Sequence, residues 1–172
     1  MKTKTKLSFL LPLVFCLSVA MLLSGCLGVP ANEEEAELTN SEYMSQVNRV
    51  FDDLNESLED FNLAVADNDL VGMKSQAEKS FKIIEELESI EAPETVKEVH
   101  KGYVDGCKEL KTALQDYVSL YSETQTATEA EPFDYNTYNE RLDKIKKSYD
   151  AGIEKLEAAD KKATELESEE EA

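Results

Sequence analysis

The sequence predicts an all-α protein, an antiparallel up-down-up-down four-helix bundle. In four successive stretches the apolar residues recur at alternating steps of three and four, the spacing of a helix with one buried face. Glycine and proline are scarce, at 6 and 4 of 172 residues, and no stretch alternates as a strand does. Two connections between the stretches are short, which favours antiparallel neighbours. Separate coiled-coil oligomers are the alternative packing, and the short turns disfavour them.

The chain opens with a segment typical of protein export. A basic start, from Lys2 to Lys6, precedes an apolar run from Leu7 to Leu23. Such a basic flank stays on the cytoplasmic side while the apolar run enters the translocon. An uncleaved transmembrane anchor is the alternative, because the run approaches the ~20 residues that a span needs. The small residues Ser24 and Gly25, directly before a cysteine, favour cleavage instead.

The sequence Leu23-Ser24-Gly25-Cys26 resembles the lipobox of prokaryotic (bacterial or archaeal) membrane lipoproteins. The resemblance covers residues 1–26 and does not extend to the mature domain. It implies that residues 1–25 are a signal peptide and that the Cys26 thiol carries a diacylglycerol-type lipid. The mature protein would then be anchored by lipid at the extracytoplasmic face of the cell membrane. The residues do not distinguish an inner from an outer membrane.

Residues 26–40 are expected to form the lipidated cysteine and an acidic tether, because glycine, proline and a glutamate run favour a solvated chain. The bundle is expected over residues 41–168. Its first helix is predicted over 41–66, capped by Asn40 or Ser41, and its second over 69–91, capped by Asp69. The two apolar stripes consist of Met44, Val47, Phe51, Leu54, Leu58, Phe61 and Val65, and of Leu70, Met73, Ala77, Phe81, Ile84 and Leu87.

The third helix is predicted over 93–121, with Pro93 in its first turn. A polar loop is expected over 122–134 and the fourth helix over 135–166. Residues 169–172 are mostly glutamate and are expected to fray. The stripes of these two helices are Val96, His100, Tyr103, Cys107, Leu110, Leu114, Tyr117 and Tyr121, and Tyr138, Leu142, Ile145, Tyr149, Gly152, Leu156, Ala159, Ala163 and Leu166.

The charge balance restricts the partners. The chain has 37 acidic and 18 basic residues; removal of residues 1–25 leaves 15 basic residues and a formal charge of −22. A polyanion of this kind is not expected to bind nucleic acid. It is also not expected to dock on anionic lipid through basic patches. The lipid on Cys26 is therefore the expected contact with the membrane.

Two side chains with reactive chemistry lie on the third stripe. His100 is the only histidine, and the di-iron bundle pattern needs two, each with a glutamate three residues before it, whereas position 97 is lysine. We expect a core histidine bonded to a neighbour. Cys107 is expected to be a small buried hydrophobe, with a reactive or dimerising thiol as the alternative.

A calcium loop and a pocket are the further candidates. Asp67, Asp69, Gly72 and Glu78 match positions 1, 3, 6 and 12 of an EF-hand loop, but Val71 stands at position 5, where an oxygen ligand is needed. A helix-turn-helix corner is the preferred interpretation. The five tyrosines on the third and fourth stripes predict half-buried rings, with a polar-lined pocket between these helices as the alternative.

No nucleophile turn, phosphate loop or paired metal motif occurs, so the sequence predicts no catalytic residue, no cofactor and no metal site. We expect a non-enzymatic structural or protein-interaction module of the cell envelope. Its partners would be the membrane, through Cys26, and another envelope protein. The alternative is a lipoprotein that binds a small ligand or cation through a tyrosine-lined core or its acidic faces.

Overall fold

The computed structural model describes the backbone of residues 38–170 and the side chains of residues 38–168. Within this range the chain is all-helical and has four helices, as predicted, with no strand. The helices are α1 Asn40–Ala66, α2 Leu70–Ser89, α3 Lys97–Thr126 and α4 Tyr138–Glu170. Short 3-10 turns, Glu94–Val96 and Tyr135–Thr137, precede α3 and α4. None of these helices combines the length and apolar character that a bilayer-spanning helix requires.

The start of α1 differs slightly from the prediction. Thr39, rather than Asn40 or Ser41, is the N-cap: its hydroxyl accepts from the Glu42 backbone N–H, and the Glu42 carboxylate accepts from the Thr39 N–H. This capping box satisfies two backbone donors that the helix itself cannot pair. Asp69 caps α2 as predicted, accepting from the Val71 N–H at 3.1 Å.

Both α3 and α4 extend further toward the carboxyl terminus than the sequence predicted. Residues 122–126, assigned to the polar loop, continue α3 as helix, and α4 reaches Glu170 instead of ending near residue 166. Serine and threonine favour loops because their side chains compete for backbone groups. In α3 the same side chains bond within the helix: the Thr126 hydroxyl donates to the Ser122 carbonyl at 2.9 Å. The Glu123 carboxylate accepts a hydrogen bond from Arg141 of another helix, α4.

The core contains the predicted stripes, but α1 buries a wider face than one heptad seam. Its buried residues include Tyr43, Val50 and Ser57, which the seam did not contain. Tyr43 has no exposed surface, and the Ser57 hydroxyl bonds that of Ser80 in α2 at 2.9 Å. A helix that packs against two neighbours buries both flanks of its stripe. In α4, by contrast, Leu142 is only half-buried, although its place on the stripe predicted the core.

The helices α3 and α4 approach each other closely at two glycines. A Cβ added at Gly106 would lie 2.8 Å from the Leu156 side chain and 3.0 Å from the Gly152 carbonyl oxygen. A Cβ at Gly152 would lie 3.0 Å from the Gly106 carbonyl oxygen in turn. The two backbones therefore meet where neither carries a side chain. Ion pairs flank this contact: Lys155 with Glu109 at 2.7 Å and Lys144 with Asp116 at 2.9 Å.

Candidate functional site

His100 is half-buried near the start of α3, beside the first turn of α1. Its Nδ1 lies 3.1 Å from the Tyr43 hydroxyl, and the two rings meet edge to face. Burial lowers the pKa of the imidazole below its ordinary value, because the charged form loses hydration. The ring and the tyrosine hydroxyl share this hydrogen bond, so His100 is a core histidine bonded to a neighbour, as expected from the sequence.

A second tyrosine hydroxyl reaches across to α4. Tyr103, 1% exposed, donates to a carboxylate oxygen of Asp160 at 2.7 Å. Burial raises the pKa of the Asp160 carboxyl, and the Tyr103 hydrogen bond partly opposes that change by stabilising the anion. Phe51 of α1 packs edge to face against the Tyr103 ring. These contacts make the Tyr103 ring part of the packing between three helices.

The tyrosines at the other end of α3 differ from one another in hydrogen bonding. The Tyr121 hydroxyl donates to the Asn68 side chain at 3.0 Å. The Tyr117 hydroxyl has no hydrogen-bond partner among residues 38–168, although the residue is 3% exposed. Burial raises the pKa of Tyr117 to about 12. Tyr103, Tyr117 and Tyr121 are buried, and Tyr138 and Tyr149 are half-buried. The three rings on α3 are therefore core side chains, and the two on α4 pack against the core while partly exposed.

Cys107 is fully buried in the apolar cluster. Burial raises the pKa of its thiol to about 12, so the reactive thiolate is suppressed at neutral pH. The structure agrees with the small buried hydrophobe expected from the sequence and opposes the reactive-thiol alternative.

The segment from Asp67 to Glu78 is the helix-turn-helix corner preferred above. Asn68 takes the left-handed conformation at φ 56°, and α2 begins at Leu70 and runs through Glu78. Gly72 lies inside this helix, where an added Cβ would be 2.5 Å from the Asp69 carboxylate and 3.0 Å from the Ala64 side chain. The crowding of the helix cap and the contact of α1 with α2 therefore explain the glycine without a calcium loop. No group of three or more metal-ligating side chains occurs within the described range.

An open groove lies on the outer face between α2 and α3. Its volume is about 380 Å³, and its surface is mainly apolar. The lining side chains include Lys74, Ala77, Glu78, Phe81, Val118 and Glu123. Phe81 was assigned to the buried stripe but is half-buried here, beneath the Lys111 ammonium at 5.4 Å from the ring centre. Val118 lies off the predicted stripe of α3.

The α3 wall of the groove connects to an aromatic pair in the segment between α3 and α4. Glu123 accepts two hydrogen bonds from the Arg141 guanidinium and one from Ser119, and the Arg141 bonds hold the pKa of the Glu123 carboxyl down to about 2. Arg141 in turn lies 5.9 Å from the centre of the Phe133 ring, which meets Tyr135 edge to face. Tyr135 is 59% exposed.

The sequence did not identify this groove, because its lining comes from two helices: Ala77 and Phe81 lie on the α2 stripe, whereas Val118 lies off the α3 stripe. The signal available was the extra apolar residues Val71 and Val118, which a single stripe does not explain. Residues 1–37, with the export segment, the lipobox and Cys26, lie outside the described residues, as do residues 171–172 of the tail.

No protein-family model, curated protein or solved structure matches this chain.

Proposed function

We propose that this chain is a lipoprotein, held by lipid on Cys26 at the extracytoplasmic face of the cell membrane, and that it acts without catalysis as a protein-interaction module of the cell envelope. The observation that carries the interaction role is the open apolar groove between α2 and α3. Ala77, Phe81 and Val118 line this groove, and such apolar side chains can bury apolar groups of a partner.

The helices are proposed to form the up-down-up-down bundle. Lys111 pairs with Glu85 and Lys108 with Glu88, so residue numbers increase along α3 in the direction in which they decrease along α2. The α3–α4 pairs, Glu109 with Lys155 and Asp116 with Lys144, follow the same rule. Between α1 and α2, Ser57 meets Ser80 and Ala64 approaches Gly72. These contacts favour opposite directions for each consecutive pair.

The bundle would direct the groove away from the anchor. The tether leads into Asn40, and α1 has 27 residues, about 40 Å at the rise of an α-helix. The α1–α2 corner at its far end adjoins the start of α2, where the groove residue Lys74 lies. A lipid on Cys26 would therefore leave the groove facing the extracytoplasmic space, where another envelope protein can reach it.

A small-ligand binding protein is the second candidate, and the groove itself supports it. A volume of about 380 Å³ falls within the range of small-molecule sites, about 300–1,000 Å³. The wide opening of the groove favours the protein partner, because small-molecule sites usually enclose most of the ligand surface.

A thermal shift screen separates the two candidates. A native-state ligand raises the melting temperature in a saturable manner. We expect no such rise with small metabolites or divalent cations at constant ionic strength. A saturable rise with one metabolite would favour the second candidate.

The anchor is tested separately by cell fractionation of the wild type and of Cys26→Ser. Wild-type protein should partition into detergent as a chain that starts at Cys26. The variant should keep residues 1–25. A wild-type protein that also retains them would contradict the lipoprotein proposal.

A further inference from the structure

We propose that the contact between Tyr43 and His100 is acid-sensitive: protonation of His100 releases the first turn of α1, residues 40–43, from the start of α3. This inference goes beyond the proposed function, because it needs neither the groove nor a partner protein.

Two side-chain hydrogen bonds connect the first turn of α1 with the segment where α3 begins. The Thr95 hydroxyl donates to the Asn40 side chain at 2.6 Å, and the Tyr43 hydroxyl lies 3.1 Å from Nδ1 of His100. Tyr43 has no exposed surface, whereas the two residues before it are exposed. Tyr43 is therefore the side chain through which this turn packs into the core.

Protonation changes what the imidazole offers to Tyr43. The Tyr43 hydroxyl bonds no other group within residues 38–168. The neutral tautomer with its hydrogen on Nε2 satisfies both side chains, because Nδ1 then accepts the buried hydroxyl proton. The imidazolium carries hydrogen on both nitrogens and can only donate, which leaves the Tyr43 proton buried without an acceptor. Release of the turn returns that hydroxyl to water and removes the cost.

Two helix N-termini also disfavour a cation at this position. His100 lies in the first turn of α3, which begins at Lys97, and its ring meets the Tyr43 ring in the first turn of α1 edge to face. The N-terminal end of a helix carries partial positive charge, which opposes an imidazolium. Partial burial adds to this effect and lowers the pKa of the imidazole. The ring is half-exposed, so protons from solvent can still reach it.

The charged side chains around this end of the bundle do not pair with the His100 ring in the described part of the chain. Glu91, after α2, is exposed, and Glu167 of α4 acts on Tyr103. At physiological salt the Debye length is about 8 Å, so the attraction of exposed carboxylates for a cation is largely screened. The remaining groups have partners of their own: Glu42 with Thr39, Glu88 with Lys108, Glu94 with Lys97, Glu98 with Lys162, Lys101 with Asp105, and Asp160 with Tyr103.

The release would be confined to the start of α1. From Val47 onward α1 is fixed by buried residues such as Phe51 and Leu54. Residues 1–37 precede this turn, so acid would lengthen the connection between the bundle and the proposed lipid anchor. That consequence, unlike the acid-sensitive contact itself, rests on the proposed function.

Hydrogen–deuterium exchange of the protein purified from its native cells measures the release. The amides of residues 43–47 donate to carbonyls of residues 39–43, so they report opening of the first turn. Exchange is compared at about pH 7.5 and about pH 5.5, on the two sides of the ordinary histidine pKa of about 6.5, after correction for intrinsic rates. Protection of these amides should fall at least about twofold at the lower pH. Amides beside Gly106 and Gly152 should keep their protection.

Three substitutions assign the effect to the contact. His100→Gln keeps an oxygen that accepts from Tyr43 but does not titrate, so both pH values should give equal protection. Asp160→Asn, the matched control, removes another half-buried titratable side chain near this end and should respond as the wild type does. Tyr43→Phe should raise the pKa of the single histidine in an NMR titration, because the neutral ring loses its hydrogen-bond donor.

Four results would overturn the inference. They are unchanged protection of residues 43–47 in the wild type, a pH response that persists in His100→Gln, loss of the response in Asp160→Asn, and an equal loss of protection throughout the bundle. An amino terminus without lipid would contradict the proposed function and the lengthened connection, while the acid-sensitive contact would stand.

Discussion

At the scale of single residues, the buried tyrosines differ in whether their hydroxyl groups have a hydrogen-bond partner. Tyr43 meets His100, Tyr103 donates to Asp160, and Tyr121 donates to Asn68. The Tyr117 hydroxyl lacks a partner within the described residues. A buried polar group without a hydrogen bond costs about 1–3 kcal/mol, whereas a bonded one contributes about 1 kcal/mol. Removal of the hydroxyl oxygen should therefore change the free energy of unfolding in opposite directions at positions 117 and 103.

Tyr117→Phe should raise the free energy of unfolding by about 1 kcal/mol, because it removes an unbonded oxygen while the ring keeps its contact with Phe61. Tyr103→Phe, the matched control, should lower it by about 1–2 kcal/mol, since it also leaves the half-buried Asp160 without its donor. Urea unfolding measures both. A loss of stability at position 117 as large as at position 103 would show that the Tyr117 hydroxyl is bonded.

His100 gives the protein a pH dependence of definite sign. The pKa of the imidazole is lowered in the folded protein, so the unfolded chain binds the proton more tightly. The stability that neutral His100 contributes is fully present above its pKa in the unfolded chain, about 6.5. This stability is lost as the pH falls through its lower pKa in the folded protein. Relative to His100→Phe, the wild type should therefore lose stability below about pH 6.5. Unfolding measured from pH 8 downwards tests this; a growing advantage of the wild type at acid pH would contradict it.

The limits of sequence-based prediction at this scale concern the flanks of helices. His100 and Cys107 lie where their stripe predicted, because steps of three and four fix the central line of a buried face. Tyr43 was missed, since how far burial spreads to either side depends on the neighbouring helices. Leu142 shows the reverse: it lies on the stripe, yet α4 leaves it half-buried.

At the scale of helices, the α3–α4 contact depends on Gly106 and Gly152. Elsewhere in a helix, glycine is the less favourable choice, because it loses more backbone entropy than alanine does. Here each glycine permits the opposite backbone to approach to 3.0 Å from a would-be Cβ. Two ion pairs, Lys155 with Glu109 and Lys144 with Asp116, lie along this contact. Their side chains are partly exposed to solvent, and such pairs contribute little to the free energy of unfolding. Close packing is therefore expected to dominate the α3–α4 interaction.

Gly106→Ala should destabilise the protein by about 1–3 kcal/mol, because the new methyl group overlaps Leu156 and the Gly152 carbonyl. The intrinsic helix preference alone would give the opposite sign, a gain of about 1 kcal/mol. Ala158→Gly, at an exposed position of α4, measures that preference in the same protein. Thermal or urea unfolding of both variants decides; a stabilising Gly106→Ala would contradict the close contact.

Helix existence followed from the sequence, whereas helix ends did not. Four periodic stretches gave four helices, and Asp69 capped α2 as its side-chain chemistry favours. The last turn of α3 was read as loop, because Ser122 to Thr126 carry no apolar stripe. Its Glu123 is bonded by Arg141, 18 residues away, and a local pattern cannot show such a contact. The groove was missed for the same reason, since it exists only where α2 and α3 meet.

At the scale of the whole molecule, the excess of acid is the dominant electrostatic feature. The chain carries 37 acidic and 18 basic residues, and with residues 1–25 removed its formal charge is −22. Repulsion among like charges disfavours the compact state. Exposed ion pairs such as Lys101 with Asp105 offset little of it.

Stability should rise with salt, because added ions screen the repulsion; the Debye length falls from about 10 Å at 0.1 M to about 3 Å at 1 M. Sodium chloride should raise the melting temperature gradually. Calcium at constant ionic strength should add nothing saturable, and Asp67→Ala and Glu78→Ala should respond as the wild type does. One saturable calcium transition, abolished by both substitutions, would establish a cation site at the corner.

The proposed lipid anchor would determine where this acidic domain works and which way its groove faces, so the proposed function depends on it most. Mass spectrometry of the amino-terminal peptide, from protein purified from its native cells, tests the anchor directly. The account predicts a peptide that begins at Cys26 and carries the added mass of a diacylglycerol-type lipid. A peptide that begins at Met1, or an unmodified Cys26 in the mature protein, would contradict it.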